Sequence, residues 1–315
     1  MLALVFPGQG SQSVGMLGEL AANHPVVRGT FEEASAALGY DLWQLVATGP
    51  AEQLNRTEFT QPAMLTAGIA TWRLWREQGG AAPLLVAGHS LGEFTALVCA
   101  ESMDLAGGVR LVRERGRYMQ EAVPKGGGAM AAILGLDDAA AEAACAEAAQ
   151  GEVVEAVNYN APGQIVIAGQ SGAVERAMAA AKARGAKRAL TLPVSVPAHS
   201  SLMKSAAERL QERLGDLVLS APVYTFISAV DAQAHGDPEE IRTLLVRQLA
   251  SPVRWSATVQ ALTGQGARVL VECGPGKVLT GLNRRIERRA EISCCAVEDG
   301  ASLQTALRAA GSAHS

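Results

Sequence analysis

The chain has 315 residues, 49% apolar and 18% charged, with a formal net charge of −4, an ordinary globular composition with enough apolar residues for a sizeable core. Its Lys and Arg residues are scattered apart from the short clusters "KARGAKR" and "RRIERR", which read as solvated helix faces and argue against a nucleic-acid surface. No charged leader opens "MLALVFPGQG" and no apolar run approaches bilayer length, so a cytoplasmic location without membrane contact is expected.

In chain order, the strand-like run "LALVF" leads through a long amphipathic stretch to "LLVAG" and a helix beginning after Ser90. The runs "VYTFI", "ARVLVECG" and "ISCCAV" come later, with helices between them. Such alternation predicts an α/β fold with a mainly parallel sheet and helices on its faces. The middle of the chain breaks that rhythm. After a Gly-rich hinge at Lys125–Gly128 come a strand "AMAAILG", a helix from Asp137 to about Ala149, and strands "VVEAVN" and "QIVIAG". A helix from Ser171 to about Arg184 and a strand "RALTL" follow. This β-α-β-β-α-β order is that of a ferredoxin-like unit. Residues 125–196 are therefore expected to form a small inserted subdomain, leaving 1–124 and 197–315 as the large domain.

The five cysteines, Cys99, Cys145, Cys273, Cys294 and Cys295, fit neither a zinc site nor a disulfide framework and read as reduced core residues. Two glycine-rich loops fail as nucleotide sites: "GQGSQSVG" has Ser13 where a dinucleotide fingerprint has its third glycine, and "GPGK" lacks the earlier glycine and following Ser/Thr of a P-loop.

Chemistry is expected at "GHSLG". A serine on a sharp strand-to-helix turn, flanked by Gly88 and Gly92, is presented as a nucleophile. The Leu91 amide then stands at a helix N-terminus where an oxyanion would form. A second donor, the Gln9 amide, is expected from "FPGQGSQ", which also leaves a strand at its carboxyl end. Of the five histidines, His89 is adjacent to Ser90 and diverges from it. His24 and His314 fall at a helix boundary and in the tail, and His235 reads as a surface turn. His199, in "VSVPAHSSLM", is the expected base, with a hydrogen-bonded structural histidine as the alternative. In "AGGVRLVRERGRYMQEAV", Arg115 shares a stripe with Leu111, Val112, Tyr118 and Met119. A cation there needs either a distant carboxylate or one arriving with a substrate.

Taken together, "FPGQGSQ", "GHSLGEF", "RGRYMQEAVPKGGGAMAAILG", "NYNAPGQIVIAG", "PVSVPAHSSLM" and "RQLASPVRW" resemble the malonyl-CoA:acyl carrier protein transacylases of type II fatty acid synthesis over nearly the whole chain. The resemblance implies a large α/β-hydrolase-like core with a ferredoxin-like insert. It makes Ser90 the acylated nucleophile, His199 its base, Arg115 the clasp for the malonyl carboxylate, and the Gln9 and Leu91 amides the oxyanion hole. It also gives Gln248 the role of holding His199 through its backbone carbonyl, in the place of a triad acid. Malonyl-CoA and acyl carrier protein are the implied partners, no metal or redox cofactor is implied, and a monomer is compatible with all of it. A polyketide-synthase acyltransferase would share every motif. A thioester hydrolase could use the same dyad but has no use for Arg115, and a catalytically silent carrier-binding module would leave Ser90 unacylated.

Overall fold

The computed structural model describes residues 1–194 and 196–312; His314 lies outside them. Among the described residues ten strands run in chain order: β1 (Leu2–Phe6), β2 (Leu85–Gly88), β3 (Gly128–Leu134), β4 (Val154–Ala161), β5 (Gln164–Gln170), β6 (Arg188–Thr191), β7 (Thr225–Ile227), β8 (Ala234–His235), β9 (Val269–Cys273) and β10 (Ser293–Val297). They form two sheets. The larger has the order β10-β9-β1-β2-β7-β8 and is parallel throughout except that β8 returns antiparallel to β7. Strands β1 and β9 are buried along their entire length, as expected when helices cover both faces of a parallel sheet.

The smaller sheet, ordered β4-β5-β3-β6, is antiparallel. Helices Asp138–Ala149 and Ser171–Ala183 supply the alternating connections of the β-α-β-β-α-β unit. Asp137 caps the first of these, its carboxylate accepting from the Ala140 amide at 2.8 Å, which satisfies an otherwise orphaned donor. The small unit has its own apolar core, built around Ile133, Ile165, Ile167 and the alanine faces of its two helices.

Two refinements concern peripheral elements. His235, expected in a turn, belongs to the two-residue β8 and contacts Asp231 and Glu240. Four of the five cysteines are buried, but Cys295 is half-buried; all five are free.

The register of the large sheet positions the site. Phe6 pairs with Gly88, so β1 and β2 end level and their following loops, "PGQG" and "HSLG", emerge side by side at the carboxyl edge, where open α/β sheets place their ligands. Glycine makes this approach possible. A Cβ at Gly88 would stand 1.8 Å from the Gly92 carbonyl carbon, one at Gly92 would stand 2.0 Å from the Phe6 oxygen, and one at Gly8 would stand 2.6 Å from the His89 oxygen.

Candidate active site

Ser90 lies between β2 and helix Gly92–Cys99 with φ +54°, a left-handed conformation that an L-residue adopts only when its surroundings impose it. The glycines described above impose it here. His199, at the turn that opens toward the Ser201–Met203 single-turn helix, also has positive φ, +66°. Both side chains point into one cavity of about 120 Å³. Gln9, Leu91, Arg115 and Met119 line it from the large unit, and Met130 from β3, with Leu192 and Val194 just beyond β6, lines the opposite wall.

The nucleophile and base are in hydrogen-bond contact. His199 Nε2 stands 2.7 Å from Ser90 Oγ, and His199 Nδ1 stands 2.8 Å from the Gln248 carbonyl oxygen. A carbonyl can only accept, so the proton sits on Nδ1 and Nε2 is left bare to accept from the serine hydroxyl. Burial, reinforced by the Arg115 charge, lowers the His199 pKa to about 3, which keeps the ring neutral at physiological pH. His89 turns away as expected: its Nε2 lies 2.8 Å from Asn160 Oδ1. Cys99 is 2% exposed, and burial raises its thiol pKa, which leaves it without thiolate character.

Arg115 reaches the same point from helix Leu105–Glu121. It is 1% exposed and donates from Nη2 to Ser90 Oγ at 3.2 Å and to Gln248 Oε1 at 2.8 Å, and from Nη1 to Gln61 Oε1 at 2.8 Å. Its guanidinium also lies over the Phe94 ring at 5.4 Å. Among the described residues no carboxylate is within ion-pair distance of it. The cation is therefore held by two side-chain amide oxygens, an arrangement between the two expected from the sequence. Gly116 permits it, since a Cβ there would stand 2.6 Å from the Thr57 oxygen; the close helix approach carries Gln61 to Arg115.

The Gln9 and Leu91 residues both line the cavity. Among the described residues no hydrogen bond occupies either backbone amide. Three participants escaped sequence reasoning. Gln61 is a buried polar residue inside the apolar helix run "QPAMLTAGIA", Asn160 orients His89, and Glu93 stands at the start of "GEFTALVCA". For Gln61 and Glu93 the available signal is a polar residue inside an apolar helical run, the same signal that marks Arg115.

This is an α/β fold whose site couples a strained serine, a neutral histidine and a buried cation, and its class follows from the family that matches it: the acyl transferase domain, over residues 3–303. At finer grain, the chain is 57% identical to the malonyl CoA-acyl carrier protein transacylase of Salmonella typhimurium strain LT2, over 97% of this chain and 98% of that one. It is 59% identical to the protein of the same name from Escherichia coli strain K12, over 90% and 92%. The solved transacylase of Coxiella burnetii superposes with a TM-score of 0.95 at 48% identity, covering 98% of this chain and 97% of that one. A malonyl-transacylase solved in complex with a type II PKS acyl-carrier protein superposes with a TM-score of 0.95 at 55% identity, covering 98% and 99%. The chain belongs to the malonyl CoA-acyl carrier protein transacylase family.

Proposed function

We propose that this chain moves a malonyl group from CoA to the phosphopantetheine thiol of an acyl carrier protein by a ping-pong route through Ser90. The observation that carries the reading is a buried guanidinium 3.2 Å from a serine that is itself 2.7 Å from a neutral imidazole. In the first half-reaction Ser90 Oγ attacks the thioester carbonyl as His199 Nε2 takes its proton. The developing oxyanion is met by the Gln9 and Leu91 amides. Collapse expels CoA sulfur, which leaves with the proton from His199, and a malonyl-serine ester remains. In the second, the pantetheine thiol gives its proton to His199 and attacks the ester, and Ser90 recovers the proton as it departs.

Arg115 clasps the free carboxylate of the malonyl group throughout. A hydrolase of simple acyl chains would gain nothing from that cation. We take residues 125–196 as the inserted subdomain that roofs the cavity, and the location as cytoplasmic, where the free cysteines would stay reduced. Among the described residues no helix is long and apolar enough to cross a membrane. The acceptor is read as the carrier of fatty acid synthesis; the complex of a 55% identical relative with a type II PKS carrier favours a polyketide carrier as the second reading.

Intact-mass measurement after mixing with malonyl-CoA tests the scheme. The wild type should gain one malonyl group, and Ser90→Ala should gain none. A stoichiometric adduct on the alanine variant would place the nucleophile elsewhere; no adduct on the wild type would leave the chain a carrier-binding module.

A further inference from the structure

Glu93 is 1% exposed, one turn beyond the nucleophile on helix Gly92–Cys99, and the scheme above gives it nothing to do. Its Oε1 accepts from the Ala229 amide at 2.7 Å, and its Oε2 accepts from Gln248 Nε2. The same Gln248 nitrogen donates to the Ser90 carbonyl oxygen at 3.0 Å, while Gln248 Oε1 accepts from Arg115 at 2.8 Å. We propose that Glu93 is a positioning residue for acyl-group selection: from behind Gln248 it supplies the countercharge of Arg115 and fixes which end of the Gln248 amide the guanidinium meets.

The amide orientation is forced by the chemistry of its neighbours. A carboxylate and a backbone carbonyl only accept, and a guanidinium only donates. The Gln248 NH2 must therefore face Glu93 and Ser90, and its oxygen must face Arg115. The interposed amide solves a problem that a direct ion pair would create. A buried guanidinium needs a compensating negative charge, but a carboxylate forked onto Arg115 would occupy the donors that a malonyl carboxylate has to use. With Glu93 one amide away, the cation is compensated without a carboxylate on its nitrogens, and one donor is left over: Arg115 Nε is buried without a hydrogen-bond partner. Burial raises the Glu93 pKa to about 7, against the opposing pull of Gln248, Ala229, Ser228 and Arg115, so its countercharge is complete above that pH. The other titratable groups of the site are His199 and His89, both held neutral by burial.

The inference rests on the malonyl-transfer reading, and its test separates the two. Acylation rates with malonyl-CoA and acetyl-CoA would be measured for wild type, Glu93→Gln, Gln248→Met and the double variant, each checked for folding by its melting curve. In Glu93→Gln the new amide has one oxygen for the donors of Ala229, Gln248 and Ser228. Once the Ala229 N–H takes that oxygen, its NH2 opposes the Gln248 NH2; turning Gln248 over would set its oxygen against the Ser90 carbonyl and its NH2 against Arg115, so in either orientation the amide is displaced from its place beside the guanidinium. The ratio of malonyl to acetyl kcat/KM should fall about tenfold or more, mainly through KM for malonyl-CoA. Gln248→Met keeps the backbone carbonyl that holds His199 and should show the same fall in the ratio. Adding Glu93→Gln to it should change the ratio no further, because the link is already cut. Parallel losses for the two substrates, or a further fall in the double variant, would overturn the proposal. Should Glu93→Gln fail to fold, an unchanged ratio in Gln248→Met overturns it alone. A wild type that takes no malonyl group would instead remove the underlying reading before any variant is compared.

Discussion

Replacing Arg115 by alanine removes three hydrogen bonds, to Gln61, Gln248 and Ser90, and takes the cation out of a fully buried position. A malonyl carboxylate entering that pocket is desolvated without a partner, at a cost of roughly 2–5 kcal/mol. At tenfold per 1.4 kcal/mol, malonyl acylation should fall roughly 30- to 4,000-fold. Acetyl-CoA brings no carboxylate. In the wild type it must leave the guanidinium desolvated and without a counterion at its front, a penalty the variant no longer has. Acetyl acylation should therefore hold steady or rise. The fold also pays: Gln61 and Gln248 lose a charged donor, worth about 1–3 kcal/mol each when buried. Glu93 loses its countercharge, and its carboxyl, already at about 7, moves further up and becomes protonated, which limits the damage. Melting curves would confirm that the variant is folded, and single-turnover acylation by both acyl-CoAs would give the two rates. A parallel drop for both substrates in folded protein refutes the assignment and makes Arg115 a structural residue.

The pH dependence of stability provides a second check. His199 is held at about 3 by burial and Arg115, so between 6.5 and that value the unfolded chain binds a proton that the folded chain does not; this group's contribution is intact above 6.5 and lost as pH falls. His199→Asn removes the loss, so its stability deficit by urea unfolding should shrink between about pH 7 and about pH 4; a constant deficit contradicts a neutral buried ring. Ser90→Gly and Ser90→Ala both lose the hydroxyl, but only glycine relieves the +54° backbone, so the glycine variant should be the more stable by about 1 kcal/mol; equal stability would mean the turn is unstrained. Arg285 hydrogen-bonds Gln164, which pairs through Leu134 with Arg188, so the exposed basic residues of the two units adjoin. Reversing Lys187 and Arg188 to Glu should slow transfer to an acidic carrier protein and spare acylation by malonyl-CoA; equal loss in both half-reactions would point to CoA binding or misfolding.

How much of this was legible depended on what kind of signal each residue leaves. Alternating apolar runs revealed both sheets, and the predicted helix at Asp137 begins at its cap, with the helix itself at Asp138, because periodicity and capping are local. The two-residue β8 carries no periodicity and was not visible. The proximity of Ser90 to His199, 109 positions apart, could be anticipated because each sits at a turn of unusual composition. The hub formed by the Gln248 side chain could not. It exists only because a single-turn helix at Gln248–Ala250 meets the Glu93 helix and the Arg115 helix, and nothing in "RQLASPVRW" states which way an amide will face. Gln61 became relevant through a glycine, Gly116, on a different helix.

The small sheet is fastened to the base from both sides. Glu155 on β4 accepts from the Ser201 amide and hydroxyl at 2.8 Å each, two residues past His199. Val157 and Tyr159 of the same strand exchange backbone hydrogen bonds with Val253, at 2.8 and 2.9 Å, five residues past Gln248. A swing of this roof would drag the imidazole and its carbonyl support out of register with Ser90. In the proposed scheme the donor and acceptor thiols, arriving on identical pantetheine arms, must take turns at the one Ser90. Under the proposed ping-pong scheme, unacylated enzyme facing abundant carrier should be blocked by the very molecule it is meant to charge, and the initial rate at fixed malonyl-CoA should pass through a maximum as carrier concentration rises.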